Sequence, residues 1–163
     1  MQVENQAEEK VKNNRIELNF PKFPLSIRQN SSGEEIFDII RKQFVALTPE
    51  EWVRQHCVHL LANTYPKELI AVEGSLKVNG MNKRFDILVY DKELKPFLLV
   101  ECKRTEVEIT QKTIDQVLAY NHTLNAPNIF LTNGLSHFIF AKHADTYTFQ
   151  ILLLHPQKAK RVL

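Results

Sequence analysis

Glycine is scarce in this chain. The 163 residues hold only Gly33, Gly74, Gly80 and Gly134. None is clustered as a P-loop or dinucleotide fingerprint requires, because both bring several backbone N–H groups up to phosphate. No ATP motor is therefore visible in the sequence. Cysteine is scarcer still: Cys57 and Cys102 stand alone, without a Cys-x-x-Cys, which excludes a disulfide framework. The opening MQVENQAEEKVKNN is the opposite of a signal h-region, so a reducing cytoplasm is the expected setting. No purely apolar run exceeds four residues, as at Ile151–Leu154, whereas a membrane span needs about 20; no membrane partner is expected. Neither sign of charge dominates. With 21 basic and 19 acidic residues the net charge is +2, so any nucleic-acid surface must come from local arrangement.

What remains is an ordinary globular composition, 44% apolar and 25% charged, in a length that suits one domain with a real core. Residues 1–30 read as an N-terminal polar segment and an extended arm, with Pro21 and Pro24 breaking LNFPKFPL. Residues 31–163 read as a single domain. QNSSGEE at 29–35 is a polar turn, and the apolar run Ile36–Leu47 fits either helix or strand. Thr48-Pro49-Glu50-Glu51 is a capping box with proline at the first helical position. It predicts a helix over 49–63 with Trp52, Val53, Cys57, Leu60 and Leu61 buried. Strands are predicted over 69–78, ending at Asn79-Gly80, then over 83–90 and 97–103. A helix over 110–124 and a strand over 128–132 follow, then a closing hairpin from 137–141 and 146–154. The order is αβββαβ, then ββ: an α/β fold with a mixed central sheet flanked by two helices. Lys158–Arg161 is a short basic tail.

The chemistry concentrates on two strands. In Phe97–Lys103, alternation puts Phe97, Leu99, Glu101 and Lys103 on one face. An otherwise apolar strand thus ends in a carboxylate and an ammonium pointing the same way, and a buried charge needs a partner or a purpose. In the preceding strand Phe85, Ile87 and Val89 share one face, and Asp86 lies on the other, inside a β-branched and aromatic run that disfavours aspartate. A short turn between antiparallel strands brings Asp86 beside Glu101. Two carboxylates and a strand-end carbonyl, that of Cys102, make a hard oxygen site for Mg²⁺ or Mn²⁺. Such an ion lowers the pKa of a bound water and neutralises phosphate charge, and Lys103 beside it stabilises the charge that develops. Gln116 and Tyr120 sit one turn apart on the following helix and share one face. His56 and His59 lack matching ligands, and Cys102, facing away from the acids, reads as a structural thiol.

RFDILVY…LLVECKR…DQVLAY resembles the PD-(D/E)xK nucleases, especially the N-terminal nuclease domain of type I restriction enzyme R subunits. Gln116-x-x-x-Tyr120 matches a motif shared there, and Thr132-Asn133-Gly134 resembles their strand-end TNG. The pattern's proline is absent, with Phe85 before the aspartate. The resemblance implies a restriction-endonuclease-like core and metal-dependent cleavage of DNA, with Asp86, Glu101 and Lys103 catalytic. Glu50 and Glu51, a turn before Arg54, fit the family's first helix, and Glu73 is a further acidic candidate; Glu51 has a competing role as the helix cap. DNA and a separate motor or specificity protein are the implied partners. The alternatives are a non-catalytic DNA-binding or assembly module with a vestigial site, and a nuclease of RNA.

Overall fold

Helix α1 (Pro49–Ala62) begins where its sequence demands, with Thr48 extended and its hydroxyl accepting the Glu51 N–H at 3.0 Å. Pro49 sits in the first turn, where no intrahelical N–H bond is lost. The expected stripe packs inward: Val53, Cys57, Leu60 and Leu61 are buried, with Trp52 half-buried against them. Helix α2 (Gln111–Leu124) ends at Asn125, whose left-handed φ of 57° stops the ladder. These elements come from a computed structural model that describes residues 15–144 and 146–151. The polar segment before residue 15, the end of the closing strand and the basic tail lie outside the described residues.

A small antiparallel sheet joins β1 (Ile27–Asn30), β2 (Gly33–Asp38) and β3 (Gln43–Ala46) in that order. The main sheet holds β4 (Ile70–Val78), β5 (Met81–Tyr90), β6 (Pro96–Cys102), β7 (Asn128–Thr132), β8 (His137–His143) and β9 (Thr146–Ile151), paired in sequence order. Among the described strands only β6 and β7 are parallel; their connection is the helix α2, as a parallel pairing requires. Val53, Cys57, Val58 and Leu61 of α1 meet Ile87, Val89, Leu98, Val100 and Cys102 on one sheet face. Val117 and Leu124 of α2 meet Leu88, Leu99, Ile129 and Leu131 on the other. β6 is therefore covered on both faces and paired on both edges, which is why it is nearly all apolar. The fold is the expected restriction-endonuclease-like α/β core, a mixed sheet between two helices.

Three local readings are corrected. The Ile36–Leu47 run is neither one helix nor one strand but the β2–β3 hairpin, turned through Asp38, whose carboxylate accepts the Ile40 and Arg41 N–H groups at 2.8 and 2.7 Å. The stretch read as a polar turn contributes residues to both β1 and β2. Phe85 does not share a face with Ile87 and Val89: it packs on the α2 side and they pack on the α1 side. The change of face coincides with a break in the β4–β5 ladder between Gly74↔Phe85 and Val72↔Ile87, where Glu73 takes a left-handed φ of 48°. Such irregularities re-aim side chains beside functional sites.

The Thr-Asn-Gly turn after β7 anchors the arm. Thr132 Oγ1 accepts the Gly134 N–H at 2.9 Å and so has its proton free for His137 Nδ1 at 2.8 Å. His137 Nε2–H then donates to the Asn19 carbonyl at 2.8 Å. Gly134, at φ 85°, packs so closely on Leu18 that a Cβ would meet its Cδ2 at 2.8 Å. Leu18 and Phe20 are buried as a result.

Candidate functional site

The β5–β6 ladder runs only as far as Ile87↔Val100. The next residues on each strand are Asp86 and Glu101, so the two acids flank the point where the strands part. Asp86 Oδ2 accepts the Cys102 N–H at 2.8 Å, which ties the side chain to the main chain of β6. Lys103 Nζ donates to Glu101 Oε1 at 2.6 Å, and both side chains keep some solvent access. Burial, and then the Asp86 carboxylate, push the Glu101 carboxyl above its ordinary range, against the pull of Lys103. Burial opposes the charge on Lys103, but its bond to Glu101 and the charges of Glu101, Asp86 and Glu50 together raise its pKa.

On the α2 side Glu101 and Lys103 border a cavity of about 160 Å³, lined also by Arg84, Thr113, Gln116, Val117 and Tyr120. Gln116 and Tyr120 thus face the same cleft as Lys103, one helical turn apart. The Tyr120 hydroxyl donates to the Arg84 carbonyl, a β5 main-chain group that β6 leaves unpaired as it diverges.

On the α1 side a buried ion network stands behind Asp86. Arg54, only 5% exposed, reaches Asp86 Oδ1 at 3.3 Å, Glu50 at 2.9 Å and Glu73 at 2.9 Å, and also bonds Glu51. Burial opposes the charge on Arg54; Asp86 first, then Glu51, raise its pKa further. Arg41 bonds Asp38, Glu51 and Glu73 at 2.7, 2.7 and 2.5 Å. Gln55 Nε2 donates to Asp38 and Glu51, both at 2.8 Å. Glu51 is therefore not the reciprocal half of a capping box: its backbone N–H is capped by Thr48, while its carboxylate is held by Arg41, Arg54 and Gln55. Burial alone would raise the fully buried Asp38, but the Arg41 backbone and Gln55 amide bonds hold it below its ordinary value.

Sequence reasoning missed Asp38 and Arg41. The signal was present: Phe37-Asp38-Ile39 repeats Phe85-Asp86-Ile87, an isolated acid inside an apolar run in both places. Cys102 contributes its N–H to the site and turns its thiol away, to 3.6 Å from Cys57 Sγ. His56 is a core residue, its Nδ1 on the Trp52 carbonyl at 2.8 Å.

Asp86 and Glu101 offer hard oxygen donors. Among the described residues no three of His, Cys, Asp and Glu gather as a metal-holding group. Mg²⁺ commonly takes only one or two carboxylates and fills its shell with water and substrate phosphate. Asp86 and Glu101, each one residue past the last β5–β6 pair, fit that pattern. No helix of the described residues is long and apolar enough to cross a membrane.

No curated protein matches the chain. A family model, type I restriction enzyme R protein N terminus, matches residues 49–156, from the first residue of α1 through the closing strand. The match takes in Glu50, Arg54, Glu73, Asp86, Glu101, Lys103, Gln116 and Tyr120 together. The chain belongs to the family of type I restriction enzyme R protein N-terminal domains.

Proposed function

We propose that this domain is a Mg²⁺- or Mn²⁺-dependent deoxyribonuclease that hydrolyses DNA phosphodiester bonds in a restriction system. Asp86, Glu101 and the Cys102 carbonyl hold the ion, and Lys103 is the third catalytic residue. The observation that carries the reading is that Asp86 and Glu101 each follow the last β5–β6 pair, with Asp86 tied to the Cys102 N–H and the Glu101–Lys103 pair lining a cleft with Gln116 and Tyr120. The ion supplies a bound water of lowered pKa and neutralises charge at the scissile phosphate. Lys103 stays protonated and offers its ammonium to phosphate oxygens, where charge develops. Gln116 and Tyr120 orient the sugar–phosphate chain from the cleft wall. Glu50, Glu51 and Glu73 act at one remove: they hold Arg54, and Arg54 holds Asp86. The partners we propose are DNA and a separate motor or specificity protein. The free thiols suit a reducing cytoplasm.

The test is incubation of the pure protein with supercoiled plasmid and Mg²⁺ or Mn²⁺. The expected result is nicking that Asp86→Ala abolishes and EDTA stops. A second reading, a non-catalytic DNA-binding or assembly module, draws on one observation: each acid already faces an organic cation, Arg54 or Lys103. Plasmid that stays intact while the protein still binds it selects that reading. Cleavage of RNA but not of DNA selects the ribonuclease.

A further inference from the structure

Past Gly74 and Phe85, β4 and β5 continue together without a third strand. Their ladder runs on through Ser75↔Arg84, Leu76↔Lys83 and Lys77↔Asn82 to Val78↔Met81. β4 is the sheet edge, and β6 pairs with β5 only from Ile87 onward. The hairpin's base is fixed. Phe85 is buried over Gly74, Leu76 packs in the α2-side core, Tyr120 bonds the Arg84 carbonyl, and Lys83 Nζ lies 5.7 Å from the Tyr120 ring centroid. The tip is free, with Met81 54% exposed and the turn made by Asn79 and Gly80 at φ 49° and 80°.

Register divides this ribbon into two faces. One carries Phe85, Leu76 and Lys83 toward α2. The other carries Ser75, Lys77, Asn82 and Arg84, all exposed. Residues 74–84 contain Lys77, Lys83 and Arg84 and no acid. Neither Lys77 nor Arg84 has an ion-pair partner among the described residues. At the foot of the same ribbon the balance is reversed: among the described residues six acids, Asp38, Glu50, Glu51, Glu73, Asp86 and Glu101, gather with three cations, Arg41, Arg54 and Lys103. A polyanion approaching Asp86 meets that surplus of negative charge unless cations beside it offset the repulsion, and the hairpin is where they stand.

We propose that the β4–β5 hairpin beyond Gly74 and Phe85 is a duplex-DNA ribbon, its Ser75/Lys77/Asn82/Arg84 face lying in the major groove. Lys77 and Arg84 take backbone phosphates, and Ser75 and Asn82 meet base edges. The inference rests on the proposed action on DNA. A B-form major groove, about 12 Å wide, admits a two-stranded ribbon; the deep, narrow groove of A-form RNA does not. At about 3.4 Å per residue the five steps from Asp86 to Met81 span roughly 17 Å, enough to cross the groove with the acid pair still at its rim. Nothing in the ribbon face is apolar, so duplex binding through it is electrostatic and salt-dependent.

The experiment measures fluorescence anisotropy of a labelled DNA duplex with the full chain, in EDTA so that nothing is cut, from 50 to 200 mM salt. Lys77→Ala/Arg84→Ala is compared with Lys92→Ala/Lys95→Ala, an equal charge change at the opposite end of β5. The hairpin pair should bind at least tenfold more weakly, and its log–log salt slope should shrink by roughly 1.8, about 0.9 per lost phosphate contact. The control pair should change affinity less than twofold. A duplex RNA of the same sequence should bind the unaltered protein at least tenfold more weakly than the DNA. Equal losses in both pairs, an unchanged slope, or RNA binding as tight as DNA overturns the ribbon. Plasmid nicking in Mg²⁺ separates the two levels. If the unaltered protein nicks and the hairpin pair binds and nicks as well as it does, the ribbon alone fails. If the unaltered protein neither binds nor nicks, both readings fail.

Discussion

Glu101→Gln should separate function from stability. Among the described residues Glu101 has one side-chain partner, Lys103, at 2.6 Å, and the two side chains are 25% and 30% exposed. Truncating a buried ion pair usually costs about 3–5 kcal/mol because the remaining charge is stranded. Lys103 is not stranded, since water reaches it, so the loss falls in the range of about 0–1 kcal/mol typical of accessible pairs. The opposing effect has a definite sign. Burial and Asp86 raise the Glu101 pKa, so its charged form is less stable folded than unfolded near neutral pH. A neutral amide removes that cost. The net change should lie within about 1 kcal/mol of zero, a urea midpoint shift below about 0.3–1 M for ordinary slopes. Cleavage should fall at least about 100-fold, the scale of losing one preorganised charge-stabilising group. The assay pairs urea denaturation followed by circular dichroism with plasmid nicking in Mg²⁺. A stability loss above about 2 kcal/mol with unchanged nicking would refute the reasoning and put Glu101 in the scaffold.

Arg54→Met should behave in the opposite way, losing about 3–5 kcal/mol because the buried Glu51 keeps only Arg41 as a cation and the partly buried Asp86 loses its ion-pair partner; a midpoint matching the unaltered protein would show the network to be dispensable. Gly74→Ala places a Cβ 2.4 Å from Phe85 Cζ, so the ring must shift, at about 1–3 kcal/mol. Phe85→Leu in the same chain should recover part of that loss, and strictly additive melting changes would show that the two do not touch. Burial depresses His137 to about 4, partly opposed by its bond to the Asn19 carbonyl. Its folded value lies below the unfolded one, so the unfolded chain binds the extra proton. Stability should be full above about pH 6.5 and fall toward pH 4, by on the order of 3 kcal/mol. The ring's NMR titration should show a midpoint near 4; one near 6.5 removes the linkage.

The sheet, its helices and the acid pair were legible because each leaves a local mark. Thr48-Pro49 marks a helix start by capping chemistry, and β6 announces itself by an apolar run ending in Glu-x-Lys. The ion network leaves no such mark. Arg41 meets Glu73, and Arg54 meets Asp86, across 32 residues in each case, and no periodicity records a contact at that range. The α1 stripe predicted its apolar members, but not that Arg54, Gln55 and His56 are buried beside them. The face exchange at Phe85 sits opposite one left-handed residue, Glu73, which neither alternation nor residue type foretells.

The lone parallel pairing also sets an order in time. β5 and β6 are joined by a short turn, so Asp86 and Glu101 come together on the microsecond scale of a hairpin. β7 joins β6 only after α2 has crossed the sheet, a non-local closure that is slower. The Lys103 main chain is pinned by that late strand, its N–H donating to the Thr132 carbonyl at 2.8 Å. On a chain emerging from the ribosome, the paired acids are complete before the residue that positions their ammonium has been synthesised. The site thus stays unfinished until Thr132 arrives, and the half-built domain presents its acids without a fixed Lys103 throughout that interval.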